Sequence, residues 1–185
     1  PPPSTPPPTA TATATNSSIP TATPTSTATN TATATVSATP TPPELTIINL
    51  WVASGNTYKV ASNLQVGSYW NSNTTSYTYT AVDSELIGEQ YIQCHYGDRS
   101  STVNPLFSFN VNVNVRVYIA YLVGATKPSW MSDYIKSDKQ VKRGTEVCDL
   151  WYKDHTAGTI SLGAGMAGGG TFGKIGVIIV PNQGG

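Results

Sequence analysis

Charge, histidine and cysteine are all scarce in this chain of 185 residues. It carries ten basic and ten acidic side chains for a formal net charge of zero, with two histidines and two cysteines. The neutral balance excludes the electrostatic footprint by which nucleic acid or an anionic membrane is held. His95 and His155 have no HExxH, paired CxxC or calcium-loop pattern around them, so no metal site is expected. Asp154 and His155 are neighbours, and neighbours on a strand face opposite ways, so they make no triad. The glycine-rich run GAGMAGGG at 163–170 follows a strand pattern but opens no helix, which excludes a phosphate cradle. No enzyme chemistry and no cofactor is expected. No apolar run approaches the roughly 20 residues that a membrane-spanning helix needs.

Residues 1–43 lack charge and aromatics altogether, and they hold eleven of the fourteen prolines. From Thr9 to Thr41 every odd position is Thr or Ser except Ile19, and the even positions are mostly Ala or Pro. An extended chain of this pattern has one hydroxyl face and one small apolar face. Such a tract reads as a disordered linker or as an O-glycosylated stalk. The candidate acceptors are Thr11, Thr13, Thr15, Thr21, Thr23, Thr25, Thr27, Thr29, Thr31, Thr33, Thr35 and Thr39, with sequons at Asn16 and Asn73 for N-linked sugar. A third reading is strand addition. Extended, the arm reaches roughly 140 Å, while a domain of this size is only about 35 to 40 Å across, so an ordered arm would run over neighbouring copies. Prolines confine pairing to the runs between them, which makes Thr27 to Thr39 the candidate inserted strand, led by Thr27, Ala28, Thr29, Thr31, Ala32, Thr33, Ala34, Thr35 and Val36. The opening residue is Pro1 rather than Met, as expected of a processed form or a fragment.

Residues 44–185 have the composition of one globular domain. From Phe107 to Val123 every odd position is apolar, and from Ser108 to Arg116 every even one is polar. This is the period of half-buried strands. A single strand of that length is too long, so a turn at Asn112-Val113-Asn114 is expected, giving a hairpin at the middle of an antiparallel sheet. Further strands are expected at Leu45 to Val52, Thr57 to Val60, Gln65 to Tyr69, Ser76 to Ala81, Gln90 to His95, Val147 to Lys153, Gly158 to Leu162 and Lys174 to Val180, with a helical turn at Ser84 to Gly88 and a long loop from Lys127 to Asp138. Many short strands without an amphipathic helix mean an all-β antiparallel sandwich, jelly-roll or immunoglobulin-like. Cys94 and Cys148 fall in separate strands. In an oxidising compartment they can bridge, which would stabilise by about 4 kcal/mol; otherwise they are two buried thiols.

The blocks Phe107-Ser108-Phe109, Val117-Tyr118-Ile119-Ala120-Tyr121, Pro128-Ser129-Trp130-Met131, Leu150-Trp151-Tyr152-Lys153 and Ala157 to Gly163 together resemble an accessory β-sandwich module. That module occurs in secreted bacterial polysaccharide-degrading enzymes and cell-surface proteins, often after a Thr/Pro-rich linker. The resemblance implies a noncatalytic, extracellular, carbohydrate-binding appendage. Where the family places an Asp and, two residues on, an Arg, this chain has Leu122-Val123-Gly124. Apolar groups there suit a surface buried against another subunit.

Two functions are therefore expected. One is a structural subunit of an extracellular filament, a homopolymer joined through the arm and the surface at Leu122 and Val123, with covalent glycans on the Thr face. The other is a carbohydrate-binding module for a polysaccharide, with Trp130, Tyr134 and Trp151 as its stacking platform. Tyr69, Trp70, Tyr77 and Tyr79 form a second aromatic patch, open to the same use or to cross-strand packing.

Overall fold

A computed structural model describes residues 43–165 and 176–182, together with Ala10. The arm readings at Asn16, at the threonines and at Thr27 to Thr39 lie outside the described residues.

The domain is an antiparallel β-sandwich with ten strands among the described residues: β1 Ile47–Val52, β2 Lys59–Ala61, β3 Tyr79–Ala81, β4 Gln90–Gln93, β5 Phe107–Val111, β6 Val115–Leu122, β7 Ile135–Arg143, β8 Glu146–His155, β9 Gly158–Leu162 and β10 Gly176–Pro181. A small sheet has the order β1-β5-β9, and a large one runs β2-β4-β10-β6-β8-β7-β3. Helical structure among the described residues is limited to three short 3-10 turns.

The apolar alternation holds, but it does not build a hairpin. β5 pairs with β1 and β9, while β6 pairs with β10 and β8. Asn112 to Asn114 carries the chain from one sheet to the other. Three linking residues keep the phase, so Phe107, Phe109 and Val111 from one sheet meet Val115, Val117, Ile119 and Tyr121 from the other in one core. Each fully buried Phe of that set contributes about 1.5 to 3 kcal/mol by leaving water.

From Tyr118 onward the even positions of β6 stop being polar, and the reason is a second core. Tyr118 and Ala120, with Ile178 of β10 and Leu150 of β8, pack on the opposite face of the large sheet against Leu64, Trp70, Tyr79 and Leu86. Residues 62–78 therefore form a covering strap rather than a strand. Gln65 to Tyr69 has only the isolated bridge Tyr69 to Thr78, and a parallel bridge joins Asn71 to Cys94. The expected loop to Asp138 also ends early. Ile135–Arg143 pairs with β8 as a nine-residue strand whose polar sequence, IKSDKQVKR, buries only Val141 and Arg143.

β1 contains a bulge. Asn49 and Leu50 together oppose Phe109, and Asn49 takes φ of 55°, a left-handed conformation that asparagine tolerates better than most residues. The extra residue reverses the facing of the strand beyond it. Ile48 and Trp51 both point outward, at 53% and 54% exposure.

Candidate functional site

The three-residue platform does not form. Tyr134 is buried at 5% exposure, and Trp130 stands edge-on to it, with centroids 5.6 Å apart and planes at 87°. Trp130 donates its indole N–H to the Ala164 carbonyl at 2.8 Å and closes one end of the main core. Trp151 lies on β8, packed against the same core, with the Lys127 ammonium 4.1 Å from its ring centre. Tyr134 is spent on packing, while Trp130 and Trp151 are half-buried against the core. Leu122 is half-buried and Val123 exposed at the end of β6. Cys94 and Cys148 are both buried thiols, in different cores. The Asp154 carboxylate takes two hydrogen bonds from Arg116, while the buried Nε2 of its neighbour His155 has no hydrogen-bond partner among the described residues.

The second aromatic patch divides. Trp70 and Tyr79 lie inside the second core, 4.6 Å apart. Tyr77 stacks on Tyr96 at 5.2 Å and 18°, and the Arg99 guanidinium sits over the Tyr96 ring. Tyr69 is exposed at 47%, and it forms one wall of a groove of about 500 Å³ with Lys59, Asn71, Ser72, Asn73, Thr74, Thr75 and Gln93.

The groove is held by its own loop. Gln93 donates to the Tyr69 carbonyl at 3.2 Å, Asn71 Nδ2 to the Cys94 carbonyl at 3.0 Å, and Ser72 Oγ to the Thr57 carbonyl at 2.6 Å. Asn73 Oδ1 accepts the Tyr96 N–H at 2.8 Å. Four anchors fix a strap with no regular structure of its own, so the wall is preformed. Its volume is within the range of ligand sites, and its lining is one aromatic ring among amides, hydroxyls and the Lys59 side chain. Asn73 is exposed within this lining, so a sugar attached to the sequon would occupy the groove itself.

A cavity on the other side of Asn71, lined by Tyr58, Trp70, Asp98 and Arg143 among others, is too small for a sugar. It measures about 30 Å³, space for a few waters at most. Asp98 is consumed there as a structural acceptor, taking Ser54 Oγ and Asn56 Nδ2 at 2.8 Å each. Burial, then the neighbouring Cys94 and Asp98, push the Tyr58 phenol well above its ordinary range. His95 accepts the Gly97 N–H on Nδ1 and caps the 3-10 turn at Tyr96–Ser100.

No family model and no curated protein matches this chain. Solved structures do. A beta-glucuronidase from glycoside hydrolase family 2 is similar over 73% of this chain, at 13% identity and a TM-score of 0.63. A GH138 enzyme targeting pectin rhamnogalacturonan II is similar over 76%, at 18% identity and a TM-score of 0.51. The likeness is one of fold. The chain spans 14% and 16% of those two proteins, so it corresponds to one β-rich part of each.

Proposed function

We propose that this chain is a noncatalytic carbohydrate-binding domain of a secreted, polysaccharide-active protein, and that the groove beside Tyr69 holds a glycan chain. The groove carries the reading. A pyranose ring has an apolar face and a rim of hydroxyls, which call for an aromatic surface bordered by short donors and acceptors. Tyr69 provides the surface, and Asn73, Thr74, Thr75 and Lys59 border it. The β-sandwich shared with parts of two glycoside hydrolases supports the same class of partner over the filament reading.

Affinity electrophoresis through gels containing soluble polysaccharides tests this. Retardation by at least one polymer is expected, with Tyr69→Ala weakening it by about tenfold, the scale of one lost aromatic contact. A domain that runs unretarded through every polymer, or a Tyr69→Ala variant retarded like the parent, would overturn the proposal.

A further inference from the structure

The outer face of the small sheet has a regular order. Trp51 on β1 lies opposite Ser108 on β5, which lies opposite Ser161 on β9. The next row on the same face is Ile48, Asn110 and Thr159. Neither row contains a charged side chain. Four of the six positions are short hydroxyl or amide residues, which keep the surface low, and the indole of Trp51 is more than half exposed above them. Thr159 Oγ1 donates to Asn110 Oδ1 at 3.3 Å, which leaves the amide NH₂ of Asn110 available to a ligand.

Trp51 reaches this face only through the bulge at Asn49 and Leu50. With an unbroken pleat, Ile47 faces the core and position 51 would follow it inward. Bulges recur where a side chain is re-aimed for use.

We propose that this face is a second glycan-binding surface, one that takes the flat side of packed, uncharged polysaccharide chains rather than a single strand. This rests on the carbohydrate-binding reading above and adds a site and a ligand class to it. Charge matching selects the occupant: a surface with no ionic group favours a partner with none, and acidic polymers gain nothing here. A protein partner fits poorly, because protein interfaces are depleted in serine, and Ser108 and Ser161 lie in line with the indole. The low relief of the four short side chains selects the physical form. The groove at Tyr69 is concave and suits one chain, whereas two rows across three strands, about 10 Å wide at the usual strand spacing, suit a sheet of chains.

The test is depletion of the full chain from solution by microcrystalline cellulose and by crystalline chitin, run beside gel retardation on soluble polymers. Binding to at least one of the two insoluble polymers is expected, and it should persist unchanged from low salt to molar sodium chloride. Trp51→Ala should lower that depletion at least tenfold while leaving soluble-chain retardation as in the parent, and Trp51→Phe should restore part of it. Tyr69→Ala should show the opposite pattern. Unchanged thermal unfolding of Trp51→Ala excludes misfolding as the cause. Soluble-chain binding with no depletion by either insoluble polymer would overturn this inference and leave the groove standing, whereas no binding of any kind would sink both. Sedimentation that shows a dimer in the parent and a monomer in Trp51→Ala would assign the face to a second copy and also overturn it.

Discussion

The indole of Trp130 lies so close over Gly163 that a methyl group on the glycine would stand 2.4 Å from Trp130 Cδ1 and 2.5 Å from Nε1. Both partners are fixed: the indole N–H is bonded to the next residue's carbonyl, and Gly163 leads directly out of β9. Gly163→Ala should therefore displace Trp130 and cost about 1 to 3 kcal/mol, as overpacking does. Urea unfolding followed by tryptophan emission checks it. A variant with parental stability would mean that the indole moves aside freely.

That contact also marks how far the sequence is legible. The period of Phe107 to Val123 reveals two strands, their inward faces and the turn between them, because alternation is a local property. It does not reveal which sheet each strand joins, because pairing is set by distant partners. The change in burial at Tyr118 and Ala120 is visible as the end of polar even positions, but its cause, the strap at 62–78, is not local. Trp51 escapes a sequence reading for a sharper reason. A single left-handed Asn49 inverts the facing of the next residues, and an asparagine's tolerance of that conformation does not by itself announce a bulge inside an apolar strand. Trp130 and Tyr134 are legible as aromatic and close together, yet packing rather than sequence decides whether a ring is a platform or a plug.

His155 makes stability depend on pH in a defined window. Burial lowers its pKa below the ordinary 6.5, Lys153 adds to this, and Asp133 and Asp154 oppose it. The folded state thus binds the proton less readily than the unfolded chain does. The resulting stability is present above about pH 6.5 and is lost as pH falls through the folded-state pKa. Asp133 and Asp154 stay ionised throughout, since hydrogen bonds from Lys153 and Arg116 hold their carboxyls below the usual range. Glu89, raised by burial, acts in the opposite sense as pH falls, so the comparison must be with a variant. The melting temperature of the parent should fall more steeply between pH 7 and 5 than that of His155→Gln; parallel curves would contradict the assignment.

The two thiols should be inert until the domain opens. Burial, and secondarily the Asp98 carboxylate, push the Cys94 thiol far above its ordinary pKa, and Cys148 is buried at 1% exposure. Thiolate is the reactive form, so the native protein should give no colour with a disulfide reagent at pH 8. In concentrated guanidinium chloride two thiols per chain should react. None reacting after unfolding would mean that Cys94 and Cys148 are bridged.

Arg143 and Arg116 are both paired with a carboxylate and both lie over aromatic rings, but exchange for lysine should cost more at the buried Arg143. Arg143 is 3% exposed, bonds Glu146 through Nε and Nη2, and lies over the rings of Trp70 at 5.3 Å and Tyr77 at 5.0 Å. Lysine keeps the charge and loses both the planar fork and the stacking. The loss of a charge-assisted hydrogen bond and a cation–π contact amounts to about 1 to 3 kcal/mol. Arg116 holds its cross-strand partner Asp154 by two hydrogen bonds and lies 4.2 Å from the Tyr152 ring centre, yet its side chain is 35% exposed, where water weakens both contacts and an ion pair contributes about 0 to 1 kcal/mol. Denaturant unfolding of Arg143→Lys and Arg116→Lys separates the two cases. Equal destabilisation would mean that the second core does not depend on the guanidinium plane between Trp70 and Tyr77, and that water reaches Arg143 as readily as it reaches Arg116.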